Sequence, residues 1–243
     1  YLTLELPKRI INDAIGAQSS EIEVLGITAV AGNVPLALTA RNARIICELA
    51  GRPDMPVFAG CDRPLKRPLV TAEHVHGKTG LDGPVLPDPA MPLQDAHAVE
   101  FLIDTLRREP EGSITLCPLG PLTNIATAFE RAPDIVEKVQ EIVLMGGAYF
   151  EVGNITPAAE FNIYVDPDAA AEVFAAGAPI TVMPLDVTHK VLTTRPRIEA
   201  LRALRDLEDA MLQKDWAAAK QAMEKLSDLK KTGHRTYKGR RRR

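Results

Sequence analysis

Three polar residues in one loop have the types and spacing expected of a site that binds hydroxyl groups. Asn154, Glu160 and Asn162 stand six and two residues apart among apolar neighbours in the segment EVGNITPAAEFNIYVDPD. Two amides and a carboxylate can together donate to and accept from several hydroxyls, which is the chemistry of a sugar site. The alternative is structural, because Asn side chains also cap turns in loops. The spacing alone leaves both interpretations open.

The elements that must position these residues alternate between strand-like and helix-like patterns. Short runs rich in β-branched residues predict strands at 22–30, 56–59, 113–116, 141–145 and 179–183. Apolar residues three and four apart predict helices at 36–50, 95–108, 123–132 and 167–176. This alternation predicts an α/β fold with a mostly parallel sheet covered by helices.

The turns that follow the predicted strands are polar or contain glycine. They read AGN at 31–33, PLGPLTN at 118–124 and MGG at 145–147. In open α/β sheets, ligands bind beyond the carboxyl ends of the strands. We therefore expect these turns to line the functional site.

The composition excludes several classes of protein. The chain has 243 residues, of which 46% are apolar and 25% charged, and it contains only three cysteines. A disordered chain, a membrane span and a disulfide scaffold would each need a different composition. Cys47, Cys61 and Cys117 form no CxxC pair and lie in or beside apolar runs, so we expect reduced core thiols and no zinc ribbon. The N-terminal sequence lacks the layout of a signal peptide, and we expect a cytoplasmic protein without membrane contact.

Basic residues are concentrated at one end of the chain. Residues 230–243 carry eight of the 29 basic residues and no acid, although the net charge is -3. Blocks of like charge are usually solvated tails, so a disordered basic tail is predicted here. Nucleic-acid binding is not expected elsewhere, because the rest of the chain is acidic. The tail itself could contact RNA, an acidic membrane surface or an import receptor.

Five motifs together resemble the inosine-uridine preferring nucleoside hydrolases. They are IEVLGITAVAGN, HGKTGLDG, CPLGPLTNIA, EIVLMGGAYFEVGNITPAAEFNIYVDPDAA and ITVMPLDVTHKVL, and they occur in the family's order between Glu21 and about Thr194. The resemblance implies a doubly wound, mostly parallel, Rossmann-like α/β fold. It also implies hydrolysis of the N-glycosidic bond of purine or pyrimidine ribonucleosides by a calcium-bound water. A role in nucleoside salvage and assembly into dimers or tetramers are further implications.

The resemblance assigns roles to individual residues. Asn33 would help to position the attacking water and the ribose, and His76 would lie on a loop near the nucleobase. Leu119 would give its backbone carbonyl to calcium. Met145 would lie against the sugar, and the hydroxyls would be bound by Asn154, Glu160 and Asn162.

The chain departs from the family pattern at two places. The family's DxDPGxDD motif has no full counterpart, and Asp13 is the only acid between Glu5 and Glu21. We assign Asp13 to calcium and to the attacking water, either as the first aspartate of that motif or as part of a remnant NDA.

The family's late His-Asp pair has no match after Thr194. A helix-forming stretch at 198–229 follows instead, and its stripe of apolar residues predicts packing on the body or on a partner. The stripe consists of Leu212, Trp216, Ala219, Met223 and Leu226.

Three functional interpretations remain from the sequence. The first is a ribonucleoside hydrolase with weak or absent turnover, because a hard cation normally takes six to eight oxygen ligands. The second is a non-catalytic protein that binds a nucleoside, a ribose or a protein partner. The third is a family core whose N-terminal motif is shortened and whose C-terminal region is replaced, by engineering or by splicing.

Other polar pairs have simpler interpretations. His74 and His76 lack an evident third metal ligand, so a metal pair is not favoured. Asp186 and His189 could form an acid-base pair, although a capped turn is the favoured interpretation. Asp166 followed by Pro167 predicts a helix N-cap with proline at the first helical position.

Overall fold

A computed structural model describes residues 23–83, 85–191 and 195–240, with side chains described as far as residue 231. Its strands are β1 Ile27–Ala29, β2 Val57–Ala59, β3 Ile114–Leu116, β4 Val139–Met145 and β5 Ile180–Met183. The helices are α1 Leu36–Leu49, α2 Glu73–His76, α3 Ala98–Arg108, α4 Thr123–Arg131, α5 Phe161–Val165, α6 Pro167–Ala175, α7 Leu185–Thr188, α8 Arg195–Leu212 and α9 Trp216–Arg240. A 3-10 helix spans Pro133–Lys138. Each predicted strand and helix of the α/β part is confirmed, with shifts only at the ends.

All strand pairs in the described part of the chain are parallel. β1 pairs with β2, with Thr28 opposite Phe58. β4 lies between β3 and β5 and pairs with both. The predicted α/β fold with its parallel sheet is therefore confirmed, with the described strands arranged as one two-stranded and one three-stranded sheet.

The main core forms where α3 and α4 pack against the central strand β4. Ile142 and Leu144 of β4 are buried, together with Val99 of α3 and Ile125 of α4. The helices bury one face because their apolar residues recur every three or four positions. This packing fixes the carboxyl ends of β3 and β4 on a rigid base.

Asn124 joins the ends of strands that are distant in sequence. Its Nδ2 donates to the Ala29 carbonyl at 3.1 Å, and its Oδ1 accepts from the Cys61 N–H at 2.8 Å. A Cβ on Gly60 would lie 2.2 Å from Asn124 Oδ1, so only glycine permits this approach. The end of β1, the turn after β2 and the start of α4 are thus held together.

The cysteines occupy the positions expected of core thiols. Cys47 and Cys117 are buried, and Cys61 is half-buried with its Sγ 3.7 Å from Thr127 Oγ1. Across the described residues, every helix is too short or too polar to span a bilayer.

Residues 189–243 form a second compact unit built from α8 and α9. The predicted single stretch at 198–229 is instead two helices, because Lys214 adopts a left-handed conformation with φ 57° and Asp215 caps the next helix. Of the predicted apolar stripe, Ala219 is buried, whereas Leu212, Trp216 and Met223 are exposed, and packing of these larger side chains on a partner stays a prediction. Trp216 is 68% exposed, and the buried residues are small ones that allow the two helices to approach closely, namely Ala203, Ala210, Ala219 and Ala222. Helix α9 includes residues 230–240, where the sequence predicted a disordered tail.

Candidate functional site

The turns after β3 and β4 lie side by side at one edge of the sheet. The Met145 N–H donates to the Pro118 carbonyl at 2.9 Å. On the other side, the Gly146 N–H donates to the Met183 carbonyl at 3.3 Å. These bonds extend the parallel pairing past the strand ends and bring the PLG and MGG turns together.

Asn162 connects these two turns through its side-chain amide. It lies in the first turn of α5 and is 3% exposed. Its Nδ2 donates to the Met145 carbonyl at 2.9 Å and to the Leu119 carbonyl at 3.2 Å, and it lies 3.4 Å from Met145 Sδ. Three residues predicted for the site are therefore in direct contact.

Glu160 is a buried carboxylate held by backbone N–H groups. It is 3% exposed and caps α5. Its Oε2 accepts from the N–H groups of Gly147 at 3.1 Å, Asn162 at 2.9 Å and Ile163 at 3.3 Å. Burial raises the pKa of this carboxyl, and the backbone hydrogen bonds oppose that rise. Because all three bonds end on Oε2, Oε1 can accept from a ligand hydroxyl.

Asn154 is exposed and acts on the backbone of the same segment. Its Oδ1 accepts from the Phe161 N–H at 2.8 Å, so it fixes the chain between Glu160 and Asn162. This is the capping role that the sequence left open for Asn154. The side-chain Nδ2 can still donate to a ligand.

Asn33 lies near helix α5, and Ala72 connects the two. Its backbone carbonyl accepts from the Ala72 N–H at 2.9 Å, and Ala72 packs in a cluster with Phe161 and Val165. A Cβ on Gly32 would lie 3.1 Å from Pro121 Cδ, so the AGN turn also lies against the PLGPLTN turn. The half-buried Asn33 thus stands beside both site segments.

His76 ends the short helix α2, four residues after Ala72. It is half-buried, and burial lowers the pKa of its imidazole, with a smaller contribution from the charge on His74. Among the described residues, no hydrogen bond joins His76 to Glu160 or Asn162. The structure therefore places His76 on the neighbouring segment without bringing it into contact with the cluster.

Comparison with known proteins identifies the family. The family model described as inosine-uridine preferring nucleoside hydrolase matches residues 12–241. The chain belongs to this nucleoside hydrolase family. An uncharacterised protein of Schizosaccharomyces pombe is 51% identical over 226 residues, which cover 91% of this chain and 71% of that protein.

Two further members of the nucleoside hydrolase family are similar to this chain and considerably longer. The pyrimidine-specific ribonucleoside hydrolase RihA of Photobacterium profundum is 47% identical over 78% of this chain and 61% of its own. The solved structure of a purine-preferring ribonucleoside hydrolase from Gardnerella vaginalis is 36% identical, with a TM-score of 0.73 over 80% of this chain and 62% of its own. The chain thus spans less than two thirds of the length of these two relatives.

The residues that the family resemblance assigns to calcium are only partly within the described chain of this nucleoside hydrolase family member. Within residues 23–83, 85–191 and 195–240, no three His, Cys, Asp or Glu side chains are grouped to hold a metal. The Leu119 carbonyl lies in the cluster but accepts from Asn162, and Asp13 lies outside the described residues.

Asp166 has a wider role than the helix cap that the sequence predicted. The cap is confirmed, because Oδ1 accepts from the Ala169 N–H at 3.1 Å and Pro167 follows at the first helical position. Sequence reasoning missed that Oδ2 accepts from the Leu65 N–H at 2.9 Å and from Thr123 Oγ1 at 2.7 Å. Nothing in the local sequence around an Asp-Pro pair indicates such distant partners.

Asp186 holds the turn that follows the MGG segment. Its carboxylate accepts from the N–H groups of Tyr149 and Phe150, each at 2.8 Å, and of Glu151 at 3.2 Å. These backbone bonds lower the pKa of Asp186, and the bond from Tyr149 contributes most to the shift. The carboxylate therefore stabilises a turn by accepting backbone hydrogen bonds, which agrees with the interpretation of Asp186 as a turn cap.

Proposed function

We propose that this chain binds a ribonucleoside with its ribose on the cluster around Glu160 and Asn162, and cleaves the N-glycosidic bond. The observation that carries the proposal is the buried Glu160 carboxylate, which three backbone N–H groups hold at the edge of the sheet beside Met145. Family membership and the site's position beyond the strand ends support it.

The proposed reaction replaces the bond between ribose C1′ and the base nitrogen with a bond to water oxygen. The electron pair of the broken bond leaves with the base, and the proton that the water gives up ends on that base. Positive charge develops on the sugar ring as the bond breaks. The fixed negative charge of Glu160 favours that charge without reorganisation of the site.

The other predicted residues have supporting roles in this proposal. Asn154 and Asn162 bind ribose hydroxyls, and Met145 lies against the ring. Asn33 and Asp13 orient the attacking water, and His76 lies near the base. Because burial lowers the pKa of His76, its imidazole is neutral at pH 7 and can donate a hydrogen bond from one ring nitrogen.

Calcium binding by Asp13 and the Leu119 carbonyl is a separate proposal, and no step above depends on it. Asp13 is the only acid between Glu5 and Glu21, so we expect few ligands for the ion and weak turnover. Calorimetric titration with calcium tests this, because an Asp13→Ala variant should lose whatever calcium affinity the chain has. Equal calcium affinity in both proteins would exclude Asp13 as a ligand.

The decisive experiment combines ribose titration by calorimetry with hydrolysis assays on inosine and uridine. Ribose should bind, and Glu160→Gln should weaken binding by about 10- to 100-fold, because a bond to a charged acceptor is lost. Glu130→Gln changes an exposed carboxyl on α4 and should leave binding unchanged. Absence of ribose binding in the unsubstituted chain would refute the proposed site.

A second candidate function is nucleoside or ribose binding without catalysis. It is favoured by the contrast between the connected cluster of Met145, Glu160 and Asn162 and the single acid of the N-terminal segment. Ribose binding without release of base from either nucleoside would establish this alternative. Release of base that depends on Glu160 would exclude it.

The finer properties of the chain are also proposals. The names of two relatives specify different bases, which is consistent with a shared ribose site and a base preference set elsewhere. We propose a homo-oligomer, dimer or tetramer, in the cytoplasm, acting in nucleoside salvage. Light scattering after gel filtration tests the oligomeric state.

A further inference from the structure

We propose that Asn42 is a positioning residue: its side-chain amide holds the turn formed by residues 77–83 against helix α1 and so fixes the segment that carries His76. The anchoring itself is independent of the proposed function. Its effect on nucleoside binding rests on that function.

Asn42 is a buried polar residue on the core side of α1. It is 4% exposed, and its Nδ2 donates to the Thr79 carbonyl at 2.7 Å. The two residues are far apart in the chain, so the bond joins a helix to a separate loop. Asn has a low helix propensity, so an amide inside α1 disfavours the helix. The long-range bond to Thr79 is the stabilising interaction that offsets this.

The other side-chain atom of Asn42 strengthens this interpretation. Its Oδ1 is buried and has no hydrogen-bond partner in the part of the chain that the structure describes. A buried acceptor without a partner is destabilising. An apolar side chain at this position would have no unpartnered acceptor, but it also could not donate to the Thr79 carbonyl. The bond to Thr79 is therefore what the amide contributes.

The turn has hydrogen bonds of its own that do not involve Asn42. The Asp82 carboxylate accepts from the N–H groups of Lys78 at 3.1 Å and Thr79 at 3.0 Å. Gly77 and Gly80 both have φ +79°, a conformation that favours glycine. Asn42 therefore does not fold the turn and instead determines where the turn lies.

Gly80 is what lets the turn approach α1 so closely. A Cβ on this residue would lie 3.0 Å from Asn42 Nδ2 and 3.2 Å from Val34 Cγ2. Val34 directly follows Asn33 in the chain, so the turn rests beside a predicted site residue. A substitution at Gly80 is thus a second, independent way to weaken the bond between Asn42 and Thr79.

Two hydrogen bonds among the described residues join the segment between residues 72 and 82 to α1 and to the turn after β1. Its start is bound where the Ala72 N–H donates to the Asn33 carbonyl, and its end where Asn42 donates to Thr79. His76 lies between them. Loss of the Asn42 bond would leave the end of the segment held by the packing of Gly80 beside Val34, without a hydrogen bond to α1 among the described residues.

The test is hydrogen–deuterium exchange, followed by mass spectrometry, on the full chain without ligand. Asn42→Leu removes the donor, and Gly80→Ala pushes the turn away from it. Both should raise exchange of peptides covering 77–83 by about three- to tenfold, with core peptides of β4 unchanged. Gly112→Ala is the matched control, because it has φ +67° with no atom within 4 Å of the added Cβ.

Unchanged exchange at 77–83 in both variants would overturn the anchoring, and so would an equal rise throughout the chain.

Titration with inosine and with ribose then tests the functional consequence. Inosine affinity should fall several-fold in both variants while ribose affinity stays constant, because His76 lies near the base. Equal losses for both ligands would refute the positioning of His76. Absence of ribose binding in the unsubstituted chain would refute the proposed function and leave the exchange result valid.

Discussion

Glu160 combines two opposing influences on one carboxyl group. Burial disfavours its charged form, while N–H groups from Gly147, Asn162 and Ile163 stabilise it. Burial is the larger of the two, so the pKa is raised. The charge is thereby placed in a region of weak solvent screening, where it acts strongly on a bound sugar.

The raised pKa of Glu160 predicts how ribose affinity depends on pH. Only the ionised carboxylate accepts with both oxygens, so affinity should be full at high pH and fall as pH drops through the raised pKa. The fall should occur above the pKa of about 4.3 that an exposed glutamate has. Calorimetric titrations between pH 5 and pH 8 measure this, and Glu160→Gln should give weak binding that does not vary over that range. A profile shared by both proteins would assign the dependence to another group.

At the scale of elements, Asp166 connects three segments around helix α6. It caps that helix, accepts from Thr123 at the start of α4 and accepts from Leu65 in the loop after β2. The side chain is fully buried, so solvent does not compete for its hydrogen bonds. Asp166 should therefore contribute more to the free energy of unfolding than a helix cap on the surface does.

Two aspartate caps in the chain allow this difference to be measured. Asp166→Ala should lower the free energy of unfolding by about 2–3 kcal/mol, because buried donors lose their acceptor as well as the helix its cap. Asp215→Ala removes the exposed cap of α9 and should have a cost of about 0.5–1 kcal/mol. Urea denaturation followed by circular dichroism tests both. Equal losses would mean that the Leu65 and Thr123 bonds contribute little.

At the scale of the whole molecule, the described site residues all lie in the first of two compact units. Asn33, His76 and the cluster around Glu160 fall within residues 1–188, whereas α8 and α9 form the unit 189–243. The two helices of the second unit pack on alanines. Its stability should therefore be separable from ligand binding.

Overpacking the helix pair tests that separation. Ala219→Leu places a larger side chain at a buried position and should destabilise the α8–α9 unit by about 1–3 kcal/mol, leaving ribose affinity unchanged. Fluorescence of Trp216, the only tryptophan, reports on the unfolding of this unit. Ala217→Leu, at an exposed position of the same helix, is the control and should have little effect. A parallel loss of ribose affinity in Ala219→Leu would show that the units are coupled.

Local patterns predicted the strands and the longer helices of the α/β unit, but not its short helices α2, α5 and α7. In the second unit they predicted helical structure but not its division into two helices. Helix α1 was predicted at 36–50 and lies at Leu36–Leu49, because its apolar period and its flanking residues are local properties. The stripe through Trp216 also has a helical period, yet within it Ala219 is buried while Leu212, Trp216 and Met223 are exposed. Lys214 breaks the helix and the alanine face is the one that packs, and neither follows from periodicity.

The sequence by itself determined which groups are present, in what order, and that turns such as MGG follow strands. Glycines, apolar periods and the Asp-Pro cap carry that information over a few residues. Only the tertiary structure decided that Asn162 joins Leu119 to Met145, that Asn124 joins the ends of distant strands, and that burial raises the pKa of Glu160. The physical reason is that these bonds and this burial depend on which strands become neighbours, whereas caps and turns depend on adjacent residues alone.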